Sequence, residues 1–284
     1  MSAMFSEKYR FGGVTYAVEC AEDIERSDMC AAFITEAGAA EHTIRLQFSD
    51  ELPEIPDDAF AHGPIRRWYE KDARHTLQCY SAAGKTPQFT YAVTRGGLTE
   101  LRFSESYRHG ASVRSVLESA CLFDLLADAG MLILHSAYIV TPGGEAILFS
   151  GPSGIGKSTQ AALWEKYAAA RVINGDRSLI NPTGRTVHGI FYSGTSGICK
   201  NVSAPLSAIV LLGQAAENRL YPAEPKDAFA RVLSQCAYYE WDTPSAIRMT
   251  DFAAQLVSNV PVLRFDCLAD ESAVRVLQEY LGGS

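Results

Sequence analysis

A short glycine-rich segment, GPSGIGKST from Gly151 to Thr159, constrains the fold of this chain more than any other feature. It matches the pattern G-x-x-x-x-G-K-[ST], in which glycines allow consecutive backbone N–H groups to point at one anion. The apolar run 146–150 precedes the segment, and the helical run 159–167 follows it. A strand, a tight loop and a helix in this order bring the positive end of the helix dipole to the same anion. The sequence therefore predicts a phosphate-binding loop.

The residue types of this loop have separate expected tasks. Lys157 is expected to contact the β- and γ-phosphates of a nucleotide, and the Ser158 hydroxyl is expected to be a Mg²⁺ ligand. The predicted nucleotide-binding residues span the loop: Gly151, Ser153, Gly154, Ile155, Gly156, Lys157, Ser158 and Thr159. The sequence thus predicts that the chain binds a nucleotide with magnesium.

The charge balance restricts the partners of the chain. Its 284 residues include 25 Lys+Arg against 33 Asp+Glu, a formal net charge of −8, without a basic run. Because nucleic-acid binding needs a basic surface to neutralise phosphates, we expect no nucleic-acid partner. No apolar stretch approaches the roughly 18 residues of a membrane span, and the first residues lack the layout of a signal peptide, so we expect no membrane association.

The cysteines point to a reducing compartment. Seven are scattered along the chain, an odd number without a C-x-x-C pair. This distribution favours neither a disulfide framework nor a zinc site, and it is typical of free thiols. We therefore expect a cytoplasmic protein.

The first part of the chain is rich in strand and turn signals. The runs 11–18 and 42–48 alternate apolar with polar residues, which is typical of half-buried strands, and a turn is expected at 82–85. The segment Arg66–Tyr69 mixes basic and aromatic residues, and we expect a solvated turn with a packed Trp there. Residues 1–108 are therefore expected to form a small β-rich or α+β domain.

The pattern changes near Gly110, so residues 109–284 are expected to form the second domain. Apolar residues at helical spacing predict one helix over 112–129. Two apolar runs, 131–140 and 146–150, flank the turn Pro142-Gly143-Gly144 and predict a β-hairpin that leads into the glycine-rich loop. Strands and helices alternate beyond the loop, which favours an α/β domain.

The run 208–212 ends in Gly-Gln rather than in acids, and no L-S-G-G-Q element follows, so a transport ATPase is not indicated.

Three blocks in this half carry a resemblance: His135-Ser136-Ala137, the turn and loop that follow, and Val172–Arg177. Together they resemble the catalytic core of HPr kinase/phosphorylase, and more closely the divergent HPr-kinase-like serine kinases that accompany modified-peptide gene clusters. The ATP-dependent phosphoenolpyruvate carboxykinases share this core. The resemblance covers about residues 112–212 and leaves residues 1–108 out. It implies an α/β fold with a P-loop HPr-kinase/PEP-carboxykinase-like core, preceded here by the β-rich (α+β) domain.

The resemblance also implies roles for single residues. His135 occupies the place of a histidine that faces the active site from the strand before the loop. The family has an Asp-Asp pair at the position of Gly175-Asp176, so that Asp176 matches the second, metal-assisting Asp and the first is missing. The implied catalytic residues are Lys157, Asp176 and His135, and the implied metal ligands are Ser158 and Asp176. Because the family forms hexamers, the resemblance also implies a homo-oligomer.

The resulting expectation is a kinase that uses ATP and Mg²⁺ to phosphorylate a Ser or Thr hydroxyl of a peptide or small protein. The acceptor could also be a small alcohol such as free serine. A third interpretation is a nucleotide-binding regulator, in which the glycine at position 175, in place of the first Asp, reflects a loss of catalytic activity. Residues 1–108 are expected to present the acceptor. Lys200, near the end of the small-residue loop 192–201, and Arg219 are weaker candidates for the acceptor side.

Overall fold

A computed structural model describes residues 5–80 and 88–282, except the side chain of Thr195. The turn expected at 82–85 lies outside these residues. The chain divides into two compact units, Met1–Leu125 and Leu126–Ser284. This boundary lies later in the chain than the one expected after residue 108. The reason is that the helix Val113–Ser119 buries its apolar side chains and packs against strands of the first unit.

The first unit contains one mixed, eight-stranded sheet in the order β1-β2-β3-β8-β7-β6-β5-β4. Two pairings, β2–β3 and β3–β8, are parallel, and the others are antiparallel. The strands are β1 Phe5–Phe11, β2 Val14–Cys20, β3 His42–Phe48, β4 Phe60–His62, β5 Ile65–Glu70, β6 Ala73–Tyr80, β7 Gln88–Arg95 and β8 Leu98–Phe103. The helical elements are α1 Asp28–Ala31, a 3₁₀ helix Glu105–Gly110 and α2 Val113–Ser119. The helix α3, Leu122–Asp128, spans the boundary between the two units.

Two local expectations for this part of the chain are wrong because of the backbone conformation at single residues. The run 11–18 is not one strand, because Gly12 and Gly13 have φ values of 62° and 81° and form the tight turn between β1 and β2. The helix predicted over 112–129 is interrupted at Cys121, whose φ of 58° is incompatible with a continuous right-handed helix. Both corrections arise where the backbone adopts the left-handed region.

The segment Arg66–Tyr69 lies within β5 and is not a solvated turn. Arg67 is fully buried, and its guanidinium donates to Asp124 Oδ2 over 2.7 Å. A buried arginine is tolerated where a carboxylate compensates its charge. The adjacent Trp68 stacks on His75.

The second unit contains another mixed sheet of eight strands, in the order β10-β9-β12-β13-β14-β16-β15, with β11 paired to β9. The strands are β9 Leu132–Val140, β10 Ala146–Ser150, β11 Arg171–Asn174, β12 Arg177–Asn181, β13 Thr186–His188, β14 Ser203–Gln214, β15 Arg219–Pro222 and β16 Val262–Cys267. The helices are α4 Lys157–Ala168, a 3₁₀ helix Gly194–Ser196, α5 Pro225–Leu233, α6 Thr243–Asn259 and α7 Glu271–Gly282. The protein is thus mixed α/β with two large sheets.

Helices cover both faces of the second sheet. Side chains alternate along β14: Ile209 and Leu211 pack with α5 and α6, whereas Ala208 and Val210 pack with α4 and α7. The hairpin predicted from the sequence is present, because β9 and β10 pair antiparallel. On its other side β10 pairs parallel with β14, which pairs parallel with β16. The carboxyl ends of these three strands therefore share one edge of the sheet.

The seven cysteines, all of them among the described residues, form no disulfide. No helix among the described residues combines the length and the apolar character that crossing a membrane requires.

Candidate functional site

The glycine-rich loop connects the end of β10 to the start of α4. Gly154 and Gly156 have φ values of 78° and 112°, in the region that L-amino-acid side chains rarely adopt. Gly156 is also the residue that precedes the first turn of α4, where helix N–H groups lack partners within the helix. The loop therefore combines a backbone that requires glycine with the anion-attracting end of a helix.

Lys157 lies in the first turn of α4 and is 7% exposed. Its ammonium group donates to the carbonyl oxygens of Gly151 at 2.9 Å and Pro152 at 3.1 Å. Burial lowers the pKa of this ammonium group, the nearby Asp176 carboxylate raises it, and Arg177 lowers it. The loop thus folds around its own lysine, and carbonyl oxygens hold the positive charge in place.

A cavity of about 250 Å³ opens beside this lysine. It collects nearly all the residues that the sequence predicted for the site, although they come from β9, the loop, α4 and the segment after β11. The lining residues are His135, Ser153, Gly154, Gly156, Lys157, Ser158, Thr159, Gly175, Asp176 and Ser196. Two predicted loop residues, Gly151 and Ile155, are absent from this lining and instead border neighbouring cavities.

The carboxylate of Asp176 lies between two nitrogen-containing side chains. Its Oδ1 atom is 3.4 Å from His135 Nε2, and its Oδ2 atom accepts a hydrogen bond from Arg177 Nε over 3.1 Å. Asp176 lies in the short gap between β11 and β12, so the ends of two buried strands fix its backbone. Arg177 was not among the predicted site residues. The only sequence feature that could have indicated it is its position directly after the predicted aspartate.

Asn174 orients this carboxylate through the backbone. Its Oδ1 atom accepts hydrogen bonds from the backbone N–H groups of Asp176 and Arg177, each at 2.9 Å. Its Nδ2 group donates to the carbonyl oxygens of Ile190 and Tyr192. This fully buried amide therefore couples Asp176 to the segment that follows β13, and sequence reasoning missed it.

His135 contributes an imidazole at the other side of Asp176. Burial lowers its pKa most, the charges of Lys157 and Arg177 lower it further, and Asp176 opposes them. A lowered pKa favours the neutral imidazole, the form that can accept a proton. The Ser158 hydroxyl, which also lines the cavity, donates to the carbonyl oxygen of Gly175 over 3.3 Å.

Small residues after β13 pack closely against the site. A Cβ atom at Gly175 would lie 2.6 Å from the Cβ of Ser196, and one at Gly194 would lie 2.7 Å from the Cγ of Asp176. The small-residue loop singled out in the sequence therefore reaches the cavity through Ser196. Lys200 of that loop is exposed and lies outside the cavity lining. The other weaker candidate, Arg219, lies on β15 and pairs with Glu217 at 3.0 Å.

The oxygen donors of the cavity suit magnesium. The Ser158 hydroxyl and the Asp176 carboxylate line the same space, and Mg²⁺ in phosphate sites takes one or two protein ligands besides water and phosphate oxygens. Among residues 5–80 and 88–282, no group of three or more His, Cys, Asp and Glu could hold a metal ion without such help.

The sequence matches no protein-family model and no curated protein sequence.

Proposed function

We propose that this protein is a kinase that transfers the γ-phosphoryl group of ATP, with Mg²⁺, to the hydroxyl of a Ser or Thr in a peptide or small protein. One observation carries the proposal. A buried lysine in a glycine-rich loop, a helix N-terminus, a serine hydroxyl and an aspartate–histidine pair all face one cavity. These are the groups that phosphoryl transfer needs, because its catalysis consists mostly of positioning and charge neutralisation.

The loop would bind the triphosphate. The backbone N–H groups around Gly154 and Gly156 and the positive end of α4 favour an anion, and Lys157 would exchange its carbonyl partners for phosphate oxygens. Ser158 and Asp176 would hold Mg²⁺. When bound, the metal ion supplies positive charge to the phosphate oxygens.

The transfer itself needs a proton acceptor. The bond between the γ-phosphorus and the bridging oxygen breaks, a new bond forms to the acceptor oxygen, and ADP leaves. The proton of the acceptor hydroxyl passes to Asp176 or His135, whose facing atoms are 3.4 Å apart. Arg177 and Asn174 would keep the Asp176 carboxylate in place during the transfer.

A nucleotide-binding regulator is the second candidate. It is favoured by the packing at Gly175, where Ser196 fills the space that a side chain would occupy. A carboxylate at this position would add a second acid to the site, and this chain has no room for it. A small alcohol such as free serine stays an alternative acceptor for the kinase. A homo-oligomer and acceptor presentation by residues 1–108 stay predictions.

Incubation with γ-labelled ATP, Mg²⁺ and separate acceptors, a set of Ser- and Thr-containing peptides and free serine, tests the proposal. We expect label on a peptide hydroxyl in the native protein. Nucleotide binding without transfer to any acceptor would contradict the kinase. The double variant Gly175→Asp/Ser196→Gly then distinguishes the regulator, since Ser196→Gly makes room for the new carboxylate. Transfer gained only by this double variant would support the regulator.

Replacing Gly194 with alanine is expected to slow the transfer about tenfold, because the new Cβ would press on the Asp176 carboxylate and small displacements of catalytic groups are costly. Gly197→Ala is a matched control: its φ is 65° against 53° for Gly194, but a Cβ there meets nothing within 4 Å. Gly197→Ala should lower the free energy of unfolding by about 1 kcal/mol, the cost of a left-handed L-residue, and Gly194→Ala should lower it more, because its Cβ also clashes with Asp176. Equal transfer rates in the two variants would argue against the placement of Asp176.

A further inference from the structure

A serine hydroxyl from outside the glycine-rich loop also lines the cavity beside Lys157. Ser196 ends the 3₁₀ helix that follows β13, is half-buried, and borders the same space as Lys157 and Asp176. A Cβ atom at Gly175 would overlap its hydroxyl group, so this hydroxyl lies against the residue that precedes Asp176. The protein therefore brings a hydroxyl of its own into the cavity where the proposed function needs an acceptor.

Hydrogen bonds hold the segment that carries this serine at both of its ends. Before the serine, the Asn174 amide donates to the carbonyl oxygen of Tyr192 over 2.7 Å. After it, the backbone N–H of Lys200 donates to the carbonyl oxygen of Ile173 over 3.0 Å. Asn174 and Ile173 both belong to β11, the strand that leads to Asp176. One strand thus fixes the serine segment beside the carboxylate.

The other hydroxyl-bearing residues of this lining belong to the loop and its helix. Ser153, Ser158 and Thr159 lie in the segment that would wrap the phosphates of the nucleotide. In phosphoryl transfer the attacking and leaving oxygens lie roughly in line with the phosphorus. The wrapping segment surrounds the leaving group, whereas Ser196 comes from a separate segment that packs beside Asp176. Ser196 is therefore the hydroxyl of this lining that is best placed to attack.

The hydrogen bonds of the Ser196 hydroxyl leave it able to react. It donates to the carbonyl oxygen of Ser193 over 2.7 Å and accepts from the backbone N–H of Ile198 over 3.3 Å. A hydroxyl oxygen has two lone pairs, so one remains for a bond to phosphorus. Rotation about the Cβ–Oγ bond would transfer the hydroxyl proton from the Ser193 carbonyl towards a proton acceptor.

We propose that Ser196 is a self-modification site: the protein transfers the γ-phosphoryl group of ATP to its own Ser196, and the phosphoserine then blocks the cavity. The inference rests on the proposed function, because the same loop would position the ATP. The bond between the γ-phosphorus and the bridging oxygen breaks, a bond forms to Ser196 Oγ, the hydroxyl proton passes to Asp176, and ADP leaves.

The modified serine would compete with the nucleotide. A phosphoserine carries a charge of about −1.5 to −2 near neutral pH and three strong acceptor oxygens. Placed in the cavity beside Lys157, it would fill the space and use the positive charge that the γ-phosphate of ATP needs. The modified chain should therefore bind ATP·Mg²⁺ at least about tenfold more weakly than the unmodified chain.

Mass spectrometry of the full chain after incubation with ATP and Mg²⁺ tests the proposal. We expect up to one phosphate per chain, located on Ser196, at a rate per chain that does not depend on protein concentration. Ser196→Ala should take up no phosphate, and Ser196→Thr, which keeps a hydroxyl, should take it up. Ser234→Ala, at an exposed serine outside this cavity, is the matched control and should be modified like the native protein. Calorimetry with ATP·Mg²⁺ then compares the modified protein with the same protein after phosphatase treatment.

A mixture of two variants tests whether each chain modifies itself. The Lys157→Ala chain keeps the serine but lacks the loop lysine, and the Ser196→Ala chain keeps the lysine but lacks the hydroxyl. We expect phosphate on neither chain, because Ser196 lines the cavity of its own chain. Phosphate on the Lys157→Ala chain would show transfer between chains and would overturn self-modification.

The remaining outcomes separate the inference from the proposed function. Phosphate on Ser153, Ser158 or Thr159 instead of Ser196, or a native protein that labels a peptide and not itself, would overturn the inference and leave the kinase standing. Equal affinities of the modified and unmodified chains for ATP would overturn the blocking of the cavity. A native protein that binds no ATP, or that binds it and labels neither itself nor any acceptor, would overturn the proposed function together with the inference.

Discussion

Replacing Lys157 with alanine is expected to lower the affinity for ATP·Mg²⁺ about 100-fold. The lysine is 7% exposed, and its ammonium group is held over the loop by two carbonyl oxygens. It would therefore meet a triphosphate where little water screens the charges. Removing one partner of a buried, hydrogen-bonded charge pair costs about 2–5 kcal/mol, and about 1.4 kcal/mol corresponds to a tenfold change in affinity.

Calorimetric titration of ATP·Mg²⁺ measures this effect. Lys166→Ala is the matched control, because Lys166 lies on the same helix, is exposed, and places its ammonium over the Tyr167 ring rather than over the loop. The control should bind nucleotide like the native protein, and thermal unfolding should show that both variants are folded. An unchanged affinity for ATP·Mg²⁺ in folded Lys157→Ala would contradict the assignment of the phosphate site to this loop.

The loop and its surroundings were predictable because their signals are local. The order of an apolar run, glycines, Lys157 and a helical run fixes a strand, a bend and a helix start within a few residues of one another. The Pro-Gly-Gly turn likewise predicts the hairpin of β9 and β10. His135 and Asp176 could be marked only through a resemblance, since their chemistry depends on strands that pair far along the chain.

The missed residues are those whose roles depend on distant partners. Asn174 reads as an ordinary polar residue at a strand end, yet it orients the backbone of Asp176 and Arg177. Arg67 was assigned to a solvated turn because its partner Asp124 lies 57 residues away.

Asp176→Asn is expected to lower the rate of phosphoryl transfer at least 100-fold while changing the affinity for ATP·Mg²⁺ much less. The asparagine keeps the size of the side chain and can still accept a hydrogen bond from Arg177. It loses the negative charge that would hold Mg²⁺ and receive the proton of the acceptor. Removing a group that acts mainly in the transition state reduces the rate more than it reduces binding.

Single-turnover transfer rates at several Mg²⁺ concentrations measure this effect. The concentration of Mg²⁺ for half-maximal rate should rise in Asp176→Asn, which a purely structural defect would not cause. Asp251→Asn, an exposed change of the same kind on α6, is the control and should keep the native rate. A native rate in Asp176→Asn would contradict both the metal role and the catalytic role of this residue.

His135→Gln distinguishes the two candidate proton acceptors. Because burial and the charges of Lys157 and Arg177 lower the pKa of His135, a rate that depended on its neutral form would decline only at a pH below the usual histidine range. We expect His135→Gln to lose less than tenfold in rate and to keep the native pH profile, since Asp176 is the residue that contacts both His135 and Arg177. A loss of rate as large as that of Asp176→Asn, together with disappearance of the fall in rate at acidic pH, would instead identify His135 as the base. Asp176 would then act only as a metal ligand.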